Sequence, residues 1–231
     1  MCERLKLGID LGTTSVKVCL VTLQTNRFVQ SYKQNHQAYT SVQGHPKSHL
    51  FREQDVVKIT QGLSDCLQVL SNDFDLANVC SVHVTGQMHG VLLWKRSIGG
   101  DAPGNIHGDV PHDKGLEEGV FDLSGVHLSN LITWEDQRCE SGFLNKVNGI
   151  HHGQPVSTGY GCASVLWLQQ EFGAEYFHQF ASMGTIMDFV VCLLIGEEVV
   201  MMSPQNACSW GFFDATKNCW KRKQLVMQCL F

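Results

Sequence analysis

The sequence predicts a mixed α/β domain, on three observations. Leu5, Leu7 and Ile9 alternate with Lys6, Gly8 and Asp10, and Val16, Val18 and Leu20 resume the alternation after Gly12-Thr13-Thr14, the pattern of a β-hairpin. Val56, Ile59, Leu63, Leu67 and Leu70 recur at helical spacing. A short apolar run, Val79 to Val84, follows that helix and reads as a buried strand.

The remaining elements follow in order. A third strand covers Phe28 to Gln34, and a polar loop with Gly44 and Pro46 leads to the helix, which spans about residues 53 to 70. Val91 to Trp94 reads as the hairpin partner of the Val79–Val84 strand. Residues 97 to 119, rich in Gly, Asp, His and Pro, read as a surface insertion or flap. Ala163, Leu166 and Trp167 mark a second helix. Ile186, Phe189, Val190, Leu193 and Leu194 mark a third, ended by Gly196 as its C′ residue.

With 231 residues the chain fits one large domain or two small ones and can bury a core. Its 17 basic and 22 acidic residues leave a net charge of −5, and its longest basic run is Lys221-Arg222-Lys223, so no basic face for nucleic acid is expected. The apolar stretch from Ile186 to Met202 is broken by Asp188, Glu197 and Glu198 and does not read as a membrane span. Ten cysteines include no Cys-x-x-Cys pair, and no signal peptide is evident. They read as reduced and mostly buried, in a cytoplasmic protein.

Two segments carry chemistry. Gly8-Ile9-Asp10-Leu11-Gly12-Thr13-Thr14-Ser15 is a strand ending in an acid, then a tight turn with one glycine and three hydroxyls. Turn amides and hydroxyls can donate to phosphate oxygens, and the acid can hold Mg2+ through water. The plain alternative is a hairpin turn that happens to contain hydroxyls. Thr85-Gly86-Gln87-Met88-His89-Gly90 places an amide, a thioether and an imidazole between two glycines at a strand end, where ligands of open α/β sheets bind. Its plain alternative is a turn with a satisfied histidine. The adjacent pair His151-His152 lacks zinc-ligand spacing.

The first segment resembles the phosphate motif of the sugar kinase, actin and heat-shock chaperone ATPase superfamily. The second resembles the sugar loop of the FGGY carbohydrate kinases, in their ketose-kinase branch. Arg52-Glu53-Gln54-Asp55, Thr133-Trp134-Glu135-Asp136-Gln137-Arg138, Ser157 to Cys162, Gly184 to Phe189 and Asn206 to Gly211 match that family in order, covering nearly the whole chain. Val56 stands where the family has proline, and Pro204 stands where many members have an acid, which weakens any ligand role for the Ser203–Asn206 loop.

The resemblance implies a ribonuclease-H-like (actin-like ATPase) domain, a mixed sheet flanked by helices, over residues 1–231. It implies transfer of phosphate from ATP, with Mg2+, to a ketose sugar, sedoheptulose ahead of xylulose or another pentulose. Asp10 would orient Mg2+ through water, Gly12, Thr13 and Thr14 would face phosphate, and Gln87, Met88, His89, Asp136 and Arg138 would line the sugar pocket. Asp136 and Arg138, two apart on one strand face, could equally bond each other. The family's general base, an Asp opening a second domain, is expected beyond Phe231. The 231 residues alone are therefore expected to be inactive, either as part of a longer kinase or as a non-catalytic sugar-binding form.

Overall fold

The computed structural model describes residues 3–96, 121, 123–150, 155–197 and 199–221. The expected hairpin opens it. β1 (Leu5–Leu11) and β2 (Ser15–Thr22) pair antiparallel, Leu11 opposite Val16 and Leu5 opposite Thr22. Successive strand side chains alternate between faces, so Leu5, Leu7, Ile9, Leu11, Val16, Val18 and Leu20 all enter the core. β3 (Phe28–Asn35) continues antiparallel on β2.

Two short strands follow, β4 (Tyr39–Thr40) and β5 (Glu53–Gln54), paired antiparallel. The first helix, α1 (Val56–Asp73), starts three residues later than its periodicity suggests, because Glu53 and Gln54 are strand residues. Asp55 is the N-cap, its carboxylate accepting from the Val57 amide. α1 buries Val56, Ile59, Leu63, Leu67 and Leu70 against β2 and β3.

β6 (Val79–Gly86) then pairs parallel with β1, completing a mixed sheet of order β3-β2-β1-β6. Two expectations are corrected here. The Val79–Val84 strand is not fully buried: it is the edge of this sheet, with Val82 and Val84 against the core and His83 and Thr85 outward. Its hairpin partner is also absent, because β7 (Leu92–Arg96) belongs to another sheet. Gly90 causes the departure. A side chain there would lie 2.5 Å from the Ile132 carbonyl oxygen, and Val91 bridges Ile132 instead of returning along β6.

The rest of the chain adds to this core and builds a second one. β8 (Val126–Leu128) and β9 (Leu131–Ile132) precede α2 (Ser141–Ile150) and α3 (Gly161–Phe172). β10 (Ser182–Gly184), α4 (Ile186–Ile195), α5 (Pro204–Trp210), β11 (Phe213–Asp214) and β12 (Cys219–Trp220) complete the order. The small sheets are β10-β7-β8, β4-β5-β9 and β11-β12. α1 and α4 share one core with the main sheet, while α3 and Trp210 of α5 center the other.

The predicted helix ending at Gly196 is observed, with Gly196 in the left-handed conformation and a Thr185–Asp188 capping box at the start. The Ser203–Asn206 segment, read as a loop, is instead the first turn of α5. Ser203 caps it and Pro204 sits where no amide is needed. No helix among the described residues is long and apolar enough to cross a membrane. Residues 97–119 and His151-His152 lie outside the described residues. The described cysteines are free thiols; Cys66, Cys139, Cys162 and Cys192 are buried, while Cys80 and Cys219 are exposed. Burial pushes the Cys66 thiol up to about 11 and that of Cys139 to about 12.

Candidate active site

The parallel pairing of β1 with β6 brings both chemical segments to one end of the sheet. Leu11 pairs with Gly86, and the Gln87 amide donates to the Leu11 carbonyl at 2.9 Å. Only glycine fits at 86, since a Cβ would lie 2.6 Å from that same carbonyl oxygen. The Gly12–Thr14 turn and the Gln87–His89 loop are therefore neighbors by backbone register.

In the turn, the Gly12 amide donates to the Ser15 carbonyl at 3.0 Å. Three consecutive carbonyls are then tied down. Gly12 O accepts from His36 Nε2 at 3.1 Å, Thr13 O from Gln54 Nε2 at 2.6 Å, and Thr14 O from the His36 amide at 3.3 Å. The Thr13 and Thr14 amides donate to no described residue. A turn with fixed carbonyls and free amides is an anion-binding arrangement. Thr13 Oγ1 accepts from the Trp134 indole at 3.1 Å, so its own proton remains to be donated. Asp10 is exposed next to the turn, and its carboxylate accepts no hydrogen bond from a described residue. No cluster of three or more metal-ligating side chains occurs among the described residues. An exposed carboxylate with open acceptor sites can hold a hydrated cation through water.

His36 is a residue the sequence reading missed. Its Nδ1 accepts from the Ala38 amide at 3.2 Å, so Nε2 carries the proton given to Gly12. Burial lowers its pKa, partly opposed by the Gly12 bond.

The Gln87–His89 loop has equally defined polarity. Gln87 is 9% exposed and its Nε2 donates to Gln54 Oε1 at 2.9 Å. Met88 stands out into solvent. His89 has φ 72°, and the Gly90 amide donates back to the Met88 carbonyl at 2.9 Å, a strained γ-turn. The His89 ring stacks on Tyr160 with centroids 4.6 Å apart. Its Nδ1 lies 2.5 Å from the Ser209 carbonyl, which can only accept. Nδ1 therefore holds a proton, and in the tautomer that carries only that proton Nε2 is an acceptor.

The later family-like segments support this loop from below. Gly159 abuts the Trp134 carbonyl so closely that no side chain fits, and Thr158 Oγ1 donates to the Asp136 carbonyl at 2.8 Å. That contact sets Tyr160 beneath His89. Trp210 Nε1 donates to the Gly90 carbonyl at 2.9 Å, and Gly161 leaves room for its ring.

The placement of Asp136 and Arg138 differs from expectation. Residues 133–138 form a turn, not a strand, and the two side chains are 0% and 2% exposed. Arg138 donates to Asp136 through Nε and Nη2, each at 2.9 Å, and through Nη2 to Glu53 at 2.5 Å. Its guanidinium lies 4.1 Å from the center of the Phe51 ring. Burial pulls its pKa down, but Asp136 and Glu53 outweigh that and raise it. The pair engages itself, and its effect on the site is to hold the turn that presents Trp134, 48% exposed. A cavity of about 210 Å³ touches Arg138 and Glu53 but is otherwise walled mainly by Phe51, Leu93, Leu168 and Phe172. Its apolar walls do not suit a polyhydroxyl ligand.

The Gly12–Thr14 turn and the Gln87–His89 loop are thus fixed to one sheet end of a mixed α/β domain with the actin-like ATPase fold. Residues 5–97 match the N-terminal domain of the FGGY family of carbohydrate kinases, and the chain belongs to that family. It is 36% identical to the sedoheptulokinase of Mus musculus over 217 residues, covering 93% of this chain and 43% of the mouse protein. It is 25% identical to the xylulose kinase of Escherichia coli K12, covering 93% of this chain and 38% of that protein. The xylulose kinase structure from Rhodospirillum rubrum superposes with a TM-score of 0.68 at 20% identity, over 97% of this chain and 40% of that one. The chain thus spans under half the length of these relatives.

Proposed function

We propose that this chain is the sugar-binding portion of an ATP-dependent ketose kinase whose substrate is sedoheptulose, phosphorylated to sedoheptulose 7-phosphate. The observation that carries the reading is the fastening of the Gly12–Thr14 turn to the Gln87–His89 loop. It puts phosphate donors and hydroxyl acceptors at one strand end. The choice of sedoheptulose over xylulose is supported by 36% identity to a sedoheptulokinase against 25% to a xylulose kinase over a similar stretch.

In this reading the Thr13 and Thr14 amides and hydroxyls hold phosphate oxygens, and Asp10 orients a hydrated Mg2+. Magnesium, when bound with ATP, neutralizes charge on the phosphates. His89 Nε2 and the Gln87 amide oxygen accept from sugar hydroxyls, and Trp134 walls the site. Catalysis by such a site is mainly positioning and charge stabilization. In this reading the proton of the attacking hydroxyl goes to a base outside these 231 residues. The chain by itself is therefore proposed to bind sugar without phosphorylating it.

The test is paired. The 231-residue chain is assayed for phosphorylation of sedoheptulose by ATP, and for binding of sedoheptulose and xylulose. Binding of sedoheptulose ahead of xylulose without turnover supports the reading. Turnover well above a no-protein control contradicts the division of labor, and preference for xylulose contradicts the substrate.

A further inference from the structure

We infer that Gln54 is a positioning residue that fixes which end of the Gln87 amide faces the sugar. The inference deepens the sugar-site reading and rests on it. Gln54 is 0% exposed and lies on β5, held between Tyr39 of β4 and Leu131 of β9. One end of its amide meets the Thr13 carbonyl at 2.6 Å. A backbone carbonyl can only accept, so that end is the nitrogen. The other end, the oxygen, therefore faces Gln87 and must accept, and Gln87 turns its nitrogen to it at 2.9 Å. The chain of constraints leaves Gln87 Oε1 on the far side, buried and with no hydrogen-bond partner among the described residues.

A buried acceptor without a donor is an unstable arrangement unless a ligand or water completes it. At a sugar loop the completing group is a hydroxyl that donates. Gln54 thereby makes the position selective for a hydroxyl over a hydrogen or a carbonyl. The same side chain ties the loop to Thr13, so sugar and phosphate positions move as one body. Glu53, the preceding residue, holds Arg138 and so the turn bearing Trp134, which also bonds Thr13.

The experiment uses the 231-residue chain with sedoheptulose and its monodeoxy analogs, titrated calorimetrically. One analog should bind the wild type about tenfold or more weakly than sedoheptulose, as expected for an acceptor left bare. In Gln54→Met the Gln87 amide can rotate, and that same penalty should fall below about threefold. Gln87→Met, which lacks the acceptor, should abolish it and serves as the second variant if Gln54→Met does not fold. An undiminished penalty in a folded Gln54→Met, or its persistence in Gln87→Met, overturns the inference. Equal binding of every analog by the wild type also overturns it. No binding of sedoheptulose by the folded wild type overturns the sugar-site reading itself.

Discussion

Replacing Arg138 by methionine isolates what the buried ion cluster does. The guanidinium serves two carboxylates, Asp136 and Glu53, and packs between Phe51 and Trp167. Methionine retains much of the stem's apolar contact but leaves both carboxylates without a cation. Removing one partner of a buried pair costs about 3–5 kcal/mol, because the charge left behind has lost its compensation. Asp136 retains the Arg52 amide at 2.8 Å and the amide of residue 138 at 2.9 Å. Glu53 retains Asn130 Nδ2 at 2.9 Å. These donors place the loss near the lower bound, about 3 kcal/mol. A chain of this length loses about 2–4 °C per kcal/mol, so Tm should fall by roughly 6–12 °C. Glu53→Gln is the contrast. It leaves one carboxylate for one cation and should cost no more than about 1 kcal/mol. The assay is thermal unfolding followed by circular dichroism, with sugar titration well below the transition. An Arg138→Met protein that melts within 2 °C or so of wild type, yet binds sugar tenfold more weakly, would refute the reasoning and make Arg138 a ligand contact.

Other outcomes follow from the same geometry. His36 has a lowered folded pKa, so its contribution to stability is present above the unfolded value near 6.5 and is lost as pH falls through the folded value. Wild type should lose more Tm between pH 7.5 and 5.5 than His36→Gln; equal losses would remove His36 from the turn's support. Under the proposed function, Asp10→Ala in a full-length kinase containing this chain should cut turnover by about a hundredfold or more while sugar affinity changes less than about twofold. A large loss of sugar affinity with normal magnesium dependence would count against Asp10 as the metal-orienting acid. His89→Ala should weaken sugar binding by about 1–3 kcal/mol. A large drop in Tm with unchanged sugar affinity would return His89 to a purely structural role, packed on Tyr160.

The main sheet and its helices were legible because their signals are local. Leu5, Leu7 and Ile9 have period two, Leu63, Leu67 and Leu70 have helical period, and Gly196 is an ordinary C′ residue. The Val79–Val84 strand was legible as a strand but not as an edge, because burial of a strand depends on neighbors far away in sequence. Its wrongly assigned partner has the same origin: nothing in Val91 to Trp94 reports that Gly90 is pressed against Ile132. Asp10 with Gly12 to Thr14, and Gln87 to His89, were legible as strand-end segments because each is contiguous, and the structure brings the two together. Gln54 and His36 could not, since each acts through a carbonyl contributed by a turn more than 20 residues away. Asp136 and Arg138 were visible as a polar pair, but whether such a pair meets a ligand or itself is decided by burial, which spacing does not report.

The most direct test of the central claim is calorimetric titration of the folded 231-residue chain with sedoheptulose, run alongside Gln87→Met and His89→Ala. The strand-end loop as a sugar site predicts saturable one-to-one binding that both substitutions weaken severalfold or more without unfolding the chain. Binding that neither substitution alters, or no binding by the folded wild type at millimolar sugar, would contradict it.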